Sequence, residues 1–97
     1  MDFSDDFSGS IFDIITSTEK MVTLRPNPAN CCLIVSFNGY TENGIIIEVY
    51  DAAGNTKHIE KNANRISEIN VSNYSSGMYI VKVVSNGQVF TEKFVKQ

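Results

Sequence analysis

The chain has 97 residues, a formal net charge of −3, 42% hydrophobic residues and 20% charged ones. That length supports one domain with one modest core, and the composition is globular rather than disordered. No apolar run approaches the ~20 residues that span a bilayer, and an acidic balance argues against nucleic acid, whose phosphates need a clustered basic surface.

The acidity sits in a leader. Asp2, Asp5, Asp6, Asp13 and Glu19 stand against a single base, Lys20, whereas residues 21–97 carry seven bases and six acids. The opening MDFSDDFSGS lacks the basic n-region and long apolar h-region of a secretory signal. The chain therefore either stays in the cytoplasm or is the tail of a longer precursor. Residues 1–20 read as an acidic linker with one apolar cluster, Ile11-Phe12-Asp13-Ile14-Ile15, too short for periodicity to separate strand from helical turn.

From Met21 onward short β runs alternate with turn chemistry. Met21–Leu24 comes first and is stopped by Pro26-Asn27-Pro28, where two prolines fix φ twice and remove two donors. Leu33, Val35 and Phe37 share one face of the next run, and Ile45–Tyr50 is β-branched and aromatic as strands prefer. Asp51-Ala52-Ala53-Gly54-Asn55 reads as a hairpin loop returning into Thr56–Glu60, and Lys61–Asn64 as a polar loop. Arg65–Val71 follows, with Ile66 and Ile69 inward. Met78–Ser85 is the strongest strand, and Asn86-Gly87 turns it into Gln88–Val95. About seven short strands with regular turn signals predict an all-β fold, an immunoglobulin-like antiparallel β-sandwich. Its expected core is Leu33, Val35, Phe37, Ile47, Val49, Tyr79, Val81 and Val83.

Chemistry is thin. His58 is the one imidazole, and period-two spacing puts it beside Glu60, two ligands where a zinc site needs three or four. Cys31 and Cys32 are adjacent, so a bond between them would strain the backbone, and no orienting group accompanies them as a nucleophile. Cys32 alternates outward with Ile34, while Cys31 fills space under the proline turn. Asp5-Asp6 has no fixed separation for acid–base work, and the Asp51 loop lacks the carboxylates of a calcium site. No phosphate loop or nucleophile elbow is present. The pattern argues against an enzyme and implies no cofactor.

Three stretches carry a resemblance: Leu24-Arg25-Pro26-Asn27-Pro28-Ala29-Asn30, Ile47-Glu48-Val49-Tyr50-Asp51-Ala52-Ala53-Gly54-Asn55, and Ile69 through Val83 with its Ser76-Gly77-Met78-Tyr79-Ile80-Val81-Lys82 centre. In this order, closed by Phe90-Thr91-Glu92-Lys93-Phe94-Val95-Lys96-Gln97, they resemble the type A C-terminal sorting domain of type IX secretion cargo, the Por system of Bacteroidetes. The resemblance covers about Met21 to Gln97 and makes residues 1–20 the end of an upstream cargo.

It implies a sorting signal without enzymatic activity. Cargo crosses the inner membrane by a Sec signal, and the domain then directs it from the periplasm through an outer-membrane translocon. A surface sortase cuts upstream of the domain, leaving cargo at the cell surface or outside the cell. The implied partners are translocon and sortase components and the upstream cargo domain, with no nucleic acid. The residues implicated in recognition are Pro26, Asn27, Pro28, Gly77, Tyr79, Lys82, Gly87, Lys93, Val95 and Lys96. Lys82, Lys93 and Lys96 are expected to be exposed, as docking charges or as edge protection. Tyr79 alternates with Val81 and Val83 as a core residue would, and Gly77 and Gly87 serve turns.

Two departures stand out. Cys31-Cys32 replaces polar residues of the family pattern, which makes a disulfide-linked dimer through Cys31 or Cys32 an expected partner state. Asn55 replaces a basic residue after Gly54. The competing reading is an immunoglobulin-like adhesion or carbohydrate-binding module, weakened by the absence of Trp and the placement of most Phe and Tyr at alternating strand positions.

Overall fold

Alternation of side chains along each run settles the architecture before any pairing is considered. Ile45, Ile47 and Val49 are buried while Ile46, Glu48 and Tyr50 lie half-buried on the other face, and Tyr79, Val81 and Val83 repeat the pattern. In the computed structural model, which describes residues 20–97, such runs form seven strands. They are β1 (Val22–Arg25), β2 (Cys32–Phe37), β3 (Ile45–Asp51), β4 (Thr56–Ala63), β5 (Ile66–Asn70), β6 (Gly77–Ser85) and β7 (Gln88–Lys96). Of the expected leader, including its Ile11–Ile15 cluster, all but Lys20 lies outside the described residues.

The strands form a three-stranded sheet in the order β1-β2-β5 and a four-stranded sheet in the order β4-β3-β6-β7, every pairing antiparallel. The inner faces meet in one core. Val22, Leu33, Val35, Phe37 and Ile69 come from the smaller sheet and Ile45, Ile47, Val49, Tyr79, Val81, Val83 and Phe94 from the larger. All eight residues expected in the core are buried there. Tyr79 adds a further immunoglobulin-like feature: near the start of β6, its hydroxyl donates to the Ser75 carbonyl at 2.6 Å, a tyrosine corner.

Three local expectations are corrected. Lys61–Asn64 is not all loop, because β4 continues to a buried Ala63 paired with Ile45. The continuation is possible because a bulge absorbs the change of register between Ile45 and Ile47, with Asn62 at φ 56°. Gly44 faces that bulge at φ +83°, and a Cβ there would lie 3.0 Å from the Asn62 Cα. Ile66 is 67% exposed because it lies three positions before Ile69, so β5 turns Ile69 and Ser67 toward the core and Ile66 and Glu68 to the outer face. Cys31 is exposed instead of filling space below the proline turn; Ala29 takes the buried position.

Two predictions follow from packing and from the β3–β4 turn. Val81 is wholly buried between the sheets, so Val81→Ala is expected to cost about 1–3 kcal/mol in urea unfolding through lost burial and a small cavity. Asp51 accepts hydrogen bonds from the Asn55 amide at 2.8 Å, the Asn55 side chain at 3.1 Å and the Ala53 amide at 3.0 Å. Those bonds, the Asn55 amide foremost, hold its carboxyl below the ordinary value of 3.8. A lowered folded value gives stability that is full above the unfolded value and lost as pH falls through the folded one. Asp51→Ala is therefore expected to flatten the acid side of the pH–stability curve, read from unfolding midpoints between about pH 5 and pH 2.

Candidate recognition surface

The proline segment turns the chain out of β1 and lays it along the end of β7. Arg25-Pro26 and Asn27-Pro28 are both cis, and the residues from Arg25 to Pro28 are exposed. Asn27 uses both ends of its amide on the β7 backbone. Its Nδ2 donates to the Lys93 carbonyl at 3.3 Å, and its Oδ1 accepts from the Val95 amide at 3.0 Å. Ala29 continues the contact with main-chain atoms, donating to the Val95 carbonyl at 2.7 Å and accepting from the Gln97 amide at 2.9 Å. The expectation that the prolines turn the first strand away holds. What sequence reasoning missed is Ala29, whose only signal was a small residue directly after the second proline.

The predicted recognition residues separate into different environments. Tyr79 is buried, with its ring centroid 5.3 Å from Phe94 and 5.1 Å from Tyr74, so it packs rather than presents a surface. Gly77 begins β6 at φ +145°, and Gly87 at φ +80° completes the Asn86-Gly87 hairpin with Asn86 at φ 51°. Lys82 lies on the outer face of the larger sheet with its Nζ 3.6 Å from Glu48, whose other neighbour is the Tyr50 hydroxyl. Lys93 and Val95 are exposed on that same outer face, beside Ile80 and Met78 respectively.

Lys96 corrects an expectation. It is only 7% exposed, and its ammonium group donates to the Gln97 carbonyl at 2.9 Å. The reason is parity: Lys96 lies three positions after Lys93, so in a strand they point to opposite faces. Lys93 is the accessible cation of the pair.

The remaining reactive side chains among the described residues lie in separate places. His58 Nε2 lies 3.4 Å from Glu60 Oε1, as period two requires. Among the described residues no group of three or more His, Cys, Asp or Glu is placed to hold a metal. The Cys31 and Cys32 sulfurs are 3.3 Å apart. Hydrogen bonding to Cys31, and then to Glu68, pushes the Cys32 thiol up to about 11, which keeps it protonated and a poor nucleophile at neutral pH.

If Asn27 ties the segment to β7, Asn27→Ala should remove two neutral hydrogen bonds worth about 0.5–1.5 kcal/mol each. The expected readout is a lower unfolding midpoint with faster amide exchange at Val95, and little change at Phe94.

A family model described as a secretion system C-terminal sorting domain matches residues 23–97. No curated protein matches the chain. The matched span runs from β1 through the end of β7 and takes in every recognition residue named above. A sorting signal is not an enzyme family, and nothing supports the adhesion or carbohydrate-binding reading. The chain belongs to the C-terminal sorting domains of type IX secretion: it carries a signal for export to the cell surface or the extracellular space, read by the type IX machinery on behalf of an upstream cargo.

Proposed function

We propose that residues 21–97 act as a self-contained sorting unit that engages the translocon from the periplasm, and that residues 1–20 are the linker to the cargo, where a surface sortase cuts. The family match across the whole sandwich supports this reading. Proteases cut most readily in polar chain outside a folded core, and residues 1–20 have that composition. Recognition is assigned to the Pro26-Asn27-Pro28 segment and the β7 strand it holds, with Lys93 and Val95 as the accessible side chains. Lys82, already paired with Glu48, contributes to the charge of the same outer face. Tyr79, Gly77, Gly87 and Lys96 serve by shaping and anchoring β6 and β7. In an oxidising compartment the exposed Cys31 links two copies by a disulfide, visible as a dimer on a non-reducing gel and absent in Cys31→Ser.

The deciding experiment fuses residues 21–97 to a Sec-exported reporter in a host with a type IX system. The reporter is expected in the medium or on the cell surface; a reporter left in the periplasm would remove the sorting unit as proposed. Within that assay Lys93→Ala is the informative variant. A surface change of this kind shifts stability by no more than ~0.5 kcal/mol, so a large loss of export at an unchanged unfolding midpoint assigns the lysine to recognition. Unchanged export assigns it to edge protection.

A further inference from the structure

The hydrogen bonds that Asn27 and Ala29 make to β7 identify which of its backbone groups face away from β6. The carbonyls of Lys93 and Val95 and the amide of Val95 all point outward. Along an antiparallel strand this direction repeats every second residue, so the amides and carbonyls of Val89 and Thr91, with the Lys93 amide, also point outward. Among the described residues no backbone group meets them. Among the described residues the edge of β7 is thus closed from Lys93 onward and open before it.

The surroundings of the open half favour a particular occupant. β1 runs nearby but bonds to β2, and the gap between β1 and β7 is spanned by side chains, Lys20 Nζ lying 3.5 Å from Glu92 Oε1. A groove lined by Lys20, Val22, Thr23, Leu24, Glu92 and Lys93, together with Asn27, runs along that inner side of β7. On the outer side, a second groove is formed by Ile80, Thr91, Glu92 and Lys93. An extended chain added to the edge would place alternate side chains over these two grooves, which is how strand addition combines main-chain affinity with side-chain selectivity. Lys20 and Lys93 border them, whereas among the described residues that line them Glu92 is the one acid and is already paired with Lys20.

We propose that the Val89–Lys93 half of the β7 edge is a strand-addition site for an extended segment of a translocation partner. That segment pairs with the outward backbone groups of Val89 and Thr91. It sets an apolar side chain against Ile80 and an acidic one beside Lys93. The proposal rests on the sorting reading for the identity of the partner, and on the hydrogen-bond pattern for the site.

Proline offers a selective test, because an outward amide is not used by β6 and an edge position tolerates its loss. In the reporter fusion, Thr91→Pro is expected to keep a cooperative unfolding transition and lose at least ten-fold in export, while Thr91→Val, which alters the groove-lining side chain but keeps the amide, loses no more than about two-fold. A folded Thr91→Pro fusion exported at the parent level would overturn the site. Hydrogen exchange on the unaltered domain gives a second reading that does not depend on any variant folding. Val89 and Thr91 amides should exchange quickly in the free domain and be protected by a detergent-solubilised outer-membrane fraction from a type IX host. Slow exchange in the free domain, which would mean that the chain's own leader covers the edge, overturns the proposal, as does unchanged exchange with the membrane fraction. A parent fusion that stays in the periplasm would count against the sorting reading, and the exchange rates in the free domain would still decide whether the edge is open.

Discussion

An outermost strand keeps half of its backbone groups unpaired unless another part of the chain reaches them. In this domain the reach comes from the segment after the first strand. Asn27 and Ala29 satisfy the outward groups at the C-terminal end of β7, joining the first and last strands across sequence separations of 66 to 68 residues for the Asn27 bonds. The attachment fixes more than an edge. It holds β7 where Phe94 is buried against Tyr79, and Tyr79 in turn reaches back to Ser75 through its hydroxyl. A chain of short-range constraints thus runs from the proline segment through the core to the loop ahead of β6. Without the Asn27 amide, only the main-chain bonds of Ala29 would tie this segment to β7.

The two faces of the larger sheet differ less in polarity than an antiparallel sheet usually allows. Its inner face is the core. Its outer face carries Ile46, Ile80 and Val84 half-buried, with Met78, Val89 and Val95 exposed around them. The Glu48–Lys82 pair and the Tyr50 hydroxyl interrupt that apolar surface near its middle. That interruption limits the continuous apolar area open to unspecific association.

Strand existence and the core were legible because each depends on a period of two, which a single sequence displays directly. Leu33-Ile34-Val35-Ser36-Phe37 and Met78 through Ser85 declare their inward residues without any knowledge of their partners. What stayed hidden depends on register or on contacts distant in sequence. Ile66 looks as inward as Ile69 by its chemistry, but it lies three positions away, and the register that puts Ile69 over Leu33 turns Ile66 outward. Lys61 and Asn62 read as loop because a bulge with one left-handed Asn resembles a turn in composition. Lys96 reads as an exposed cation by its chemistry and as an inward residue by its parity, and parity won. The motifs around Pro26-Asn27-Pro28 and Gly77–Val83 were visible as a pattern, but nothing in the sequence specified that the amide of Asn27 would serve as a surrogate strand for β7.

The ion pair between Lys20 and Glu92 has a bearing on how the domain is handled by whatever holds it. The polypeptide enters the sandwich at Lys20, and that residue stands 3.5 Å from a side chain of the final strand. Entry into the sandwich therefore lies beside β7. A receptor seated on β7 would therefore have the segment that precedes Val22 at its own margin, so that gripping the strand also brings it against the chain's point of entry.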